Sequence, residues 1–262
     1  MTEKQFRNVS ITTTFNSQKD EINRLGSERY ATETKWQLRH FYSINSVFAG
    51  NGDKNVERCK SITDSSQKHT IKSDIIPNAN QEALWEQPTC VNIKLILGKL
   101  SICLGMPIMI RNNAETEMCI TKGQEAVVYG WKSDKHQDKD VLVTLFVKLV
   151  NPPSPITLNG LLQNVVPLWR ISVLTNCKLP DDTSITVSRS QVEALPNFAM
   201  TDYTAQGKMH PFNVVDLSQC CLHQGYYTAL SRSSTAARTL ILTSFHSRKI
   251  TGGASGALQQ EF

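Results

Sequence analysis

F-A-M-T-D-Y-T-A-Q-G-K-M-H-P-F-N-V-V-D-L (residues 198–217) and H-Q-G-Y-Y-T-A-L-S-R-S-S-T-A-A-R-T-L-I-L-T (residues 223–243) decide the fold class. The first stretch opens on small apolar residues that read as a strand. It then enters a polar turn ending at Gln206 and Gly207, and resumes as a short apolar strand at Val214, Val215, Asp216 and Leu217. The second reads as a helix running into Tyr227, Thr228, Ala229, Leu230, Ser231 and Arg232. A strand apolar enough to be buried follows at residues 239–242. Short strands alternating with helical segments are an α/β signature.

Outward from that stretch, the 262 residues suffice for one large domain or two small ones. With 40% hydrophobic and 19% charged residues, the chain has the composition of a folded globular protein. The formal net charge is +5. Residues 199–250 carry Lys208, Arg232, Arg238, Arg248 and Lys249 against Asp202 and Asp216, so a net three of those charges lie in the motif region. A mild basic bias suits a polyanionic partner and equally an ordinary basic surface. The seven cysteines form no C-x-x-C and no zinc-type spacing, so no metal site is expected. Without a signal peptide, they read as reduced thiols of a nuclear or cytoplasmic protein. No apolar run approaches the roughly 20 residues needed to span a bilayer, so no membrane partner is expected.

Near the start, V-S-I-T-T-T-F (residues 9–15) is rich in β-branched residues and predicts a strand. Ser17-x-x-Asp20 predicts a capped helix, with Ile22 and Leu25 as its apolar stripe. Together they make a β-α unit of a parallel sheet. Residues 40–47 predict a second strand, residues 49–75 a polar surface loop or partly disordered insert, and residues 81–85 a short helix. Residues 92–110 predict two strands bent at Gly98 and Gly105. Strands at 126–130, 141–150 and 165–173, joined by polar turns, then read as a small β-barrel. Residues 185–195 are expected to return the chain to the parallel sheet.

T-D-Y-T-A-Q-G (residues 201–207) followed by Y-T-A-L-S-R (residues 227–232) resembles the last two motifs of superfamily-one DNA helicases. The closest resemblance is to the Pif-type and RecD-like branch, where the pattern runs T-I-H-K-S-Q-G and then Y-V-A-L-S-R. Asn16, Asp20, Ile22 and Asn23 fall on the family's T-N-x-x-V-D-x-I-N, with Phe15 in place of its threonine. Residues 105–110 and 122–128 resemble the segments that introduce the family's inserted barrel, with Lys122-Gly123 for the usual Asn-Gly turn. The resemblance implies a second RecA-like motor domain, a parallel sheet with flanking helices, carrying an inserted small Src-homology-3-like β-barrel. The implied division is residues 1–48 (first part of the motor domain), 49–97 (polar connecting insert), 98–175 (barrel), 176–250 (remainder of the motor domain) and 251–262 (tail).

The same resemblance assigns roles. Arg232 becomes an arginine finger reaching ATP on the first motor domain, since a guanidinium stays charged and offers a fixed fork of donors to developing phosphoryl charge. Gln206, Gly207 and Ser231 become the residues coupling ATP to the nucleic acid. Thr201, Tyr203, Thr204 and Asn16 become single-stranded DNA contacts. Asp202, Tyr203 and Thr204 stand where isoleucine, histidine and lysine are usual; Tyr203 can stack on a base, while the lysine's phosphate contact is lost.

The chain contains no G-x-x-x-x-G-K-[ST], so ATP and Mg²⁺ are expected to be bound mainly by a first RecA-like domain that lies upstream or on another chain. The implied activity is DNA-dependent ATP hydrolysis driving 5′-to-3′ unwinding. The alternative is a non-catalytic single-stranded nucleic-acid-binding fragment, a mobile-element relic. A third reading, an unrelated α/β nucleotide hydrolase, sits poorly with the inserted barrel.

Overall fold

A computed structural model describes residues 9–47, 76, 78–87, 96–179, 181–220, 223–233 and 235–243. The expected loop at 49–75 and the tail at 251–262 lie outside these residues.

A four-stranded sheet of order β11-β1-β12-β13 is parallel throughout. Its strands are β1 (Ile11–Thr13), β11 (Ala199–Thr201), β12 (Asn213–Val215) and β13 (Thr239–Ile241). β11 and β12, on either side of β1, are buried along their whole length, as expected for parallel strands covered on both faces. The strand expected at 239–242 forms, but Leu240, Ile241 and Leu242 are exposed: among the described residues β13 lies at the sheet edge and pairs with β12 alone.

Helix α1 (Asn16–Thr34) follows β1 and packs on β11. Two expectations about it are corrected. Its N-cap is Phe15, with no side-chain cap bond, so Ser17 does not cap it. Its buried stripe is Lys19, Asn23, Ser27 and Ala31, while Leu25 is exposed. A polar stripe can be buried because each polar group finds a partner. The Asn23 side chain accepts from the amides of Phe198 and Ala199, both at 2.9 Å, and donates to the Ala199 carbonyl at 3.1 Å. Gly26 lets the ring of Phe198 lie against the helix, since a Cβ there would come within 2.5 Å of it.

A seven-stranded antiparallel sheet carries the order β10-β5-β6-β7-β8-β9-β3. Its strands are β3 (Ile44–Val47), β5 (Pro107–Ile110), β6 (Glu125–His136), β7 (Lys139–Leu149), β8 (Val165–Lys178), β9 (Ser184–Val192) and β10 (Ala194–Pro196). Gln137 and Asp138, both at positive φ, form the tight two-residue turn between β6 and β7. Register shifts at Val128/Gly130 and Lys132/Ser133 mark bulges in that long hairpin. Residues 185–195 belong to this sheet and not to the parallel one, because β9 pairs with β8 and β3, and β10 with β5. The stretch expected as one strand at 40–47 divides: β2 (Arg39–Tyr42) pairs with β4 (Lys99–Ile102), and β3 pairs with β9.

The largest apolar core joins α1, β2, β4–β8 and Phe198. A smaller one forms where α2 (Asn78–Glu86) covers Cys177 and Val187. There Arg189, 1% exposed, donates to the carbonyls of Leu84 (2.9 Å) and Ile96 (3.1 Å) and to Asn45 Oδ1 (3.0 Å). Burial pushes the nearby Cys177 thiol above its ordinary range, with Arg189 opposing. Cys103, Cys119, Cys177 and Cys220 are buried.

Candidate nucleic-acid interface

Parallel α/β sheets bind ligands beyond the carboxyl ends of their strands. At that end β1 runs into Thr14 and the start of α1, and β11 runs into α3 (Asp202–Ala205). The polar turn expected at 202–206 is this single helical turn. Thr201 caps it, its Oγ1 accepting from the Thr204 amide at 3.3 Å and lying 3.0 Å from Thr204 Oγ1. Gly207 holds φ +79, which a side chain would oppose, and this turns the chain out of α3.

These ends line a groove of about 760 Å³ that contains Asn16, Thr201, Tyr203, Thr204, Gln206 and Gly207. Its opposite wall comes from the antiparallel sheet: Met109, Ile110, Arg111 and the Lys122-Gly123 turn. Six of the eight residues singled out from sequence therefore share one concave surface. Tyr203 is 80% exposed at its edge, and Gln206 is exposed. Thr201 is buried and its hydroxyl is engaged in the cap. Asn16 accepts from Lys19 Nζ at 3.1 Å. The first turn of α1 borders the groove with no side-chain cap, and uncapped N–H groups at a helix N-terminus favour anions.

Arg232 and Ser231 do not line the groove; they lie behind it. α4 (His223–Leu230) ends two residues before the arginine. Arg232 Nε donates to the Thr228 carbonyl (2.8 Å) and Nη2 to Ser231 Oγ (2.6 Å). Nη1 donates to the carbonyls of Ala205 and Lys208, both at 3.3 Å. The guanidinium therefore ties the end of α4 to the two residues flanking Gln206-Gly207. The Arg232 carbonyl accepts from the His210 amide at 2.8 Å, doubling that link.

The sequence reading missed four cations of the groove: Lys19, Arg111, Lys122 and Lys208. Lys208 Nζ donates to the Gly123 carbonyl at 2.8 Å, joining the motif loop to the antiparallel sheet. Burial lowers the Lys208 ammonium below its ordinary range, with Glu125 opposing. Burial likewise lowers Arg111, while Glu193 and Asp20 oppose. Lys208 adjoins Gln206-Gly207 and Arg111 closes an apolar strand, which are the signals that sequence offered. Their convergence with Lys19 and Lys122 is tertiary. Among the described residues no group of three or more His, Cys, Asp or Glu could hold a metal, and no helix is long and apolar enough to cross a membrane.

No family model matches the chain, and no curated protein matches it. Solved structures do. The chain is similar to a Pif1 helicase from Candida albicans (TM-score 0.58, 16% identity, covering 97% of this chain and 49% of that one). It is similar to a Bacteroides Pif1 helicase in complex with ADP-AlF3 and single-stranded DNA (TM-score 0.58, 13% identity, 100% and 46%). A Bacteroides Pif1 bound to single-stranded DNA matches comparably (TM-score 0.57, 14% identity, 97% and 44%). The chain spans about half the length of these structures. Its fold is thus Pif1-like: mixed α/β with a parallel sheet, matching a RecA-like helicase domain.

Proposed function

We propose that this chain is the second motor domain of a Pif1-like DNA helicase and that its groove carries single-stranded DNA. The antiparallel strands within residues 98–175 are read as the Src-homology-3-like barrel, inserted between segments 1–48 and 176–250 that supply the parallel strands β1 and β11–β13 of the motor domain as well as strands β3, β9 and β10 that extend the antiparallel sheet. ATP and Mg²⁺ are bound mainly by a first RecA-like domain, upstream or on another chain, because no P-loop occurs here. Asn16, Thr201, Tyr203 and Thr204 face the strand. Gln206, Gly207 and Ser231 transmit the nucleotide state, and Arg232 serves as the finger. To reach a phosphate, Arg232 exchanges the carbonyls of Ala205 and Lys208 for phosphoryl oxygens, and that exchange would move the Gln206-Gly207 loop. ATP hydrolysis would in this way be coupled to the strand.

The observation that carries the reading is the convergence of six motif residues and four cations on one groove. Phosphate neutralisation makes single-strand affinity fall with salt, with a log–log slope of about −0.7 per contact, hence roughly −2 for Arg111, Lys122 and Lys208, since Lys19 is buried and ion-paired with Asp20 at 3.1 Å. The test is fluorescence anisotropy of labelled oligo(dT) with this chain between 50 and 200 mM salt, which should give about that slope and preference over duplex. The double variant Lys122→Glu, Lys208→Glu should lose most of the affinity. Salt-independent binding, duplex preference or an unaffected double variant would refute the groove.

In the non-catalytic alternative, Arg232 serves only to hold the loop through its bonds to Thr228, Ser231, Ala205 and Lys208. In a protein supplying the P-loop domain, Arg232→Ala should abolish turnover while ATP still binds; unchanged turnover would favour the alternative.

A further inference from the structure

Behind Arg111 lies a second cavity, of about 300 Å³. Arg111, Lys122 and Leu195 line both it and the groove, so the two spaces share a wall. Ile96, Val173, Val192 and Ala194 back it, while polar groups, from residues such as Arg111, Asn112, Lys122 and Glu193, make up the larger part of its exposed surface. The Arg111 amide donates to the Glu193 carbonyl at 3.1 Å, which holds the cationic rim against the cavity. A slot backed by apolar side chains, with polar groups to meet a base edge and a cationic mouth, is the chemistry that accepts an unstacked base while its phosphate stays outside.

Resting on the single-strand reading of the groove, we propose that this cavity is a base-accepting subsite: one base leaves the strand, enters between Val173 and Leu195, and its phosphate lies across Arg111 and Lys122. The guanidinium suits that position because its planar fork can bind phosphate and stack on a ring. Leu195 also borders a cavity of about 460 Å³ on the other side, and charge decides between the two. That alternative carries Asp20, Glu21, Glu28 and Glu86 against Arg24 and Lys99, which ion-pair with three of the four carboxylates. A polyanion is repelled there and drawn to the other side, where Arg111 and Lys122 outweigh the single carboxylate of Glu193.

The test walks a single abasic position along oligo(dT) and measures its affinity for this chain. At one register the abasic substitution should weaken binding roughly tenfold, the scale of losing one well-packed base. Val173→Phe fills the cavity without touching the groove. It should abolish that penalty, bringing intact and abasic oligonucleotides to equal affinity, while binding of the abasic oligonucleotide stays as in the unmodified chain. Val173→Ala, which keeps the cavity open, should retain the penalty and shows that substitution at this strand position leaves the fold intact. If every abasic position is tolerated within twofold, or if Val173→Phe keeps the penalty, the subsite is overturned and the groove is not. If no oligonucleotide binds at low salt, the groove reading fails and takes the subsite with it.

Discussion

Arg232→Ala separates a guanidinium that merely ends a helix from one that holds the motif loop. The substitution removes donors to Thr228 O, Ser231 Oγ, Ala205 O and Lys208 O. The first two bonds are local to α4 and its end, and water can replace them. The last two cross from α4 to the loop, at 3.3 Å each, in a half-buried setting. Hydrogen bonds from a charged donor contribute about 1.5–3 kcal/mol; discounted for length and partial exposure, about 1 kcal/mol each is reasonable, or about 2 kcal/mol together. For a chain of this size each kcal/mol moves Tm by roughly 2–4 °C, so thermal unfolding should fall by roughly 4–8 °C. The loop should respond more than the whole. The amides of Lys208 and His210, bonded to Ala205 O and Arg232 O, should exchange about 30-fold faster, the factor that about 2 kcal/mol represents if opening is local. Arg232→Lys keeps the charge but not the fork and should recover less than half of the loss. Unchanged Tm with unchanged exchange at Lys208 and His210 would refute the link between α4 and the loop.

Asn23→Leu keeps the side-chain size but strands two buried amides and a carbonyl, at about 1–3 kcal/mol each. We expect a loss of about 3–6 kcal/mol by urea unfolding, a large part of a typical 5–15 kcal/mol; a loss under about 1 kcal/mol would contradict the role given to Asn23. His210 concerns pH. Burial foremost, then Lys208 and Arg232, hold its folded pKa below the ordinary 6.5, while Glu125 opposes. A depressed histidine binds its proton more readily when unfolded, so this stability is full above about pH 6.5 and falls as pH drops toward the folded value. Comparing urea midpoints at pH 7.5 and 5.5, His210→Gln should lose less stability on acidification than the unmodified chain; an equal loss would show that His210 does not drive it.

Local chemistry carries far in this sequence. The β-branched run at residues 9–15, the Gln206-Gly207 turn and the Y-T-A-L-S-R segment are each legible because a strand, a positive-φ turn and a helix end are selected by neighbours in sequence. The misreadings have a common cause. Leu25 looked like core and is exposed, whereas Lys19, Asn23 and Ser27 face inward, because Asn23 bonds the backbone of the opposing strand, Ser27 the Asn23 carbonyl and Lys19 the side chains of Asn16 and Asp20. Residues 239–242 looked buried, yet their strand lies at the sheet edge. Residues 185–195 carry the pattern of any apolar strand, and only pairing with β8, β3 and β5 assigns them to the antiparallel sheet.

Sequence alone thus determined that an α/β unit ends in a Gln-Gly turn and an arginine-bearing helix end, since spacing and residue type are local properties. Tertiary structure decided where those features point. It turned Arg232 inward onto the carbonyls of Ala205 and Lys208. It also set Lys19, Arg111, Lys122 and Lys208 around one groove although they are spread from position 19 to 208. Charges so far apart in sequence act on one ligand only when the backbone closes the distance, and no local pattern encodes that closure.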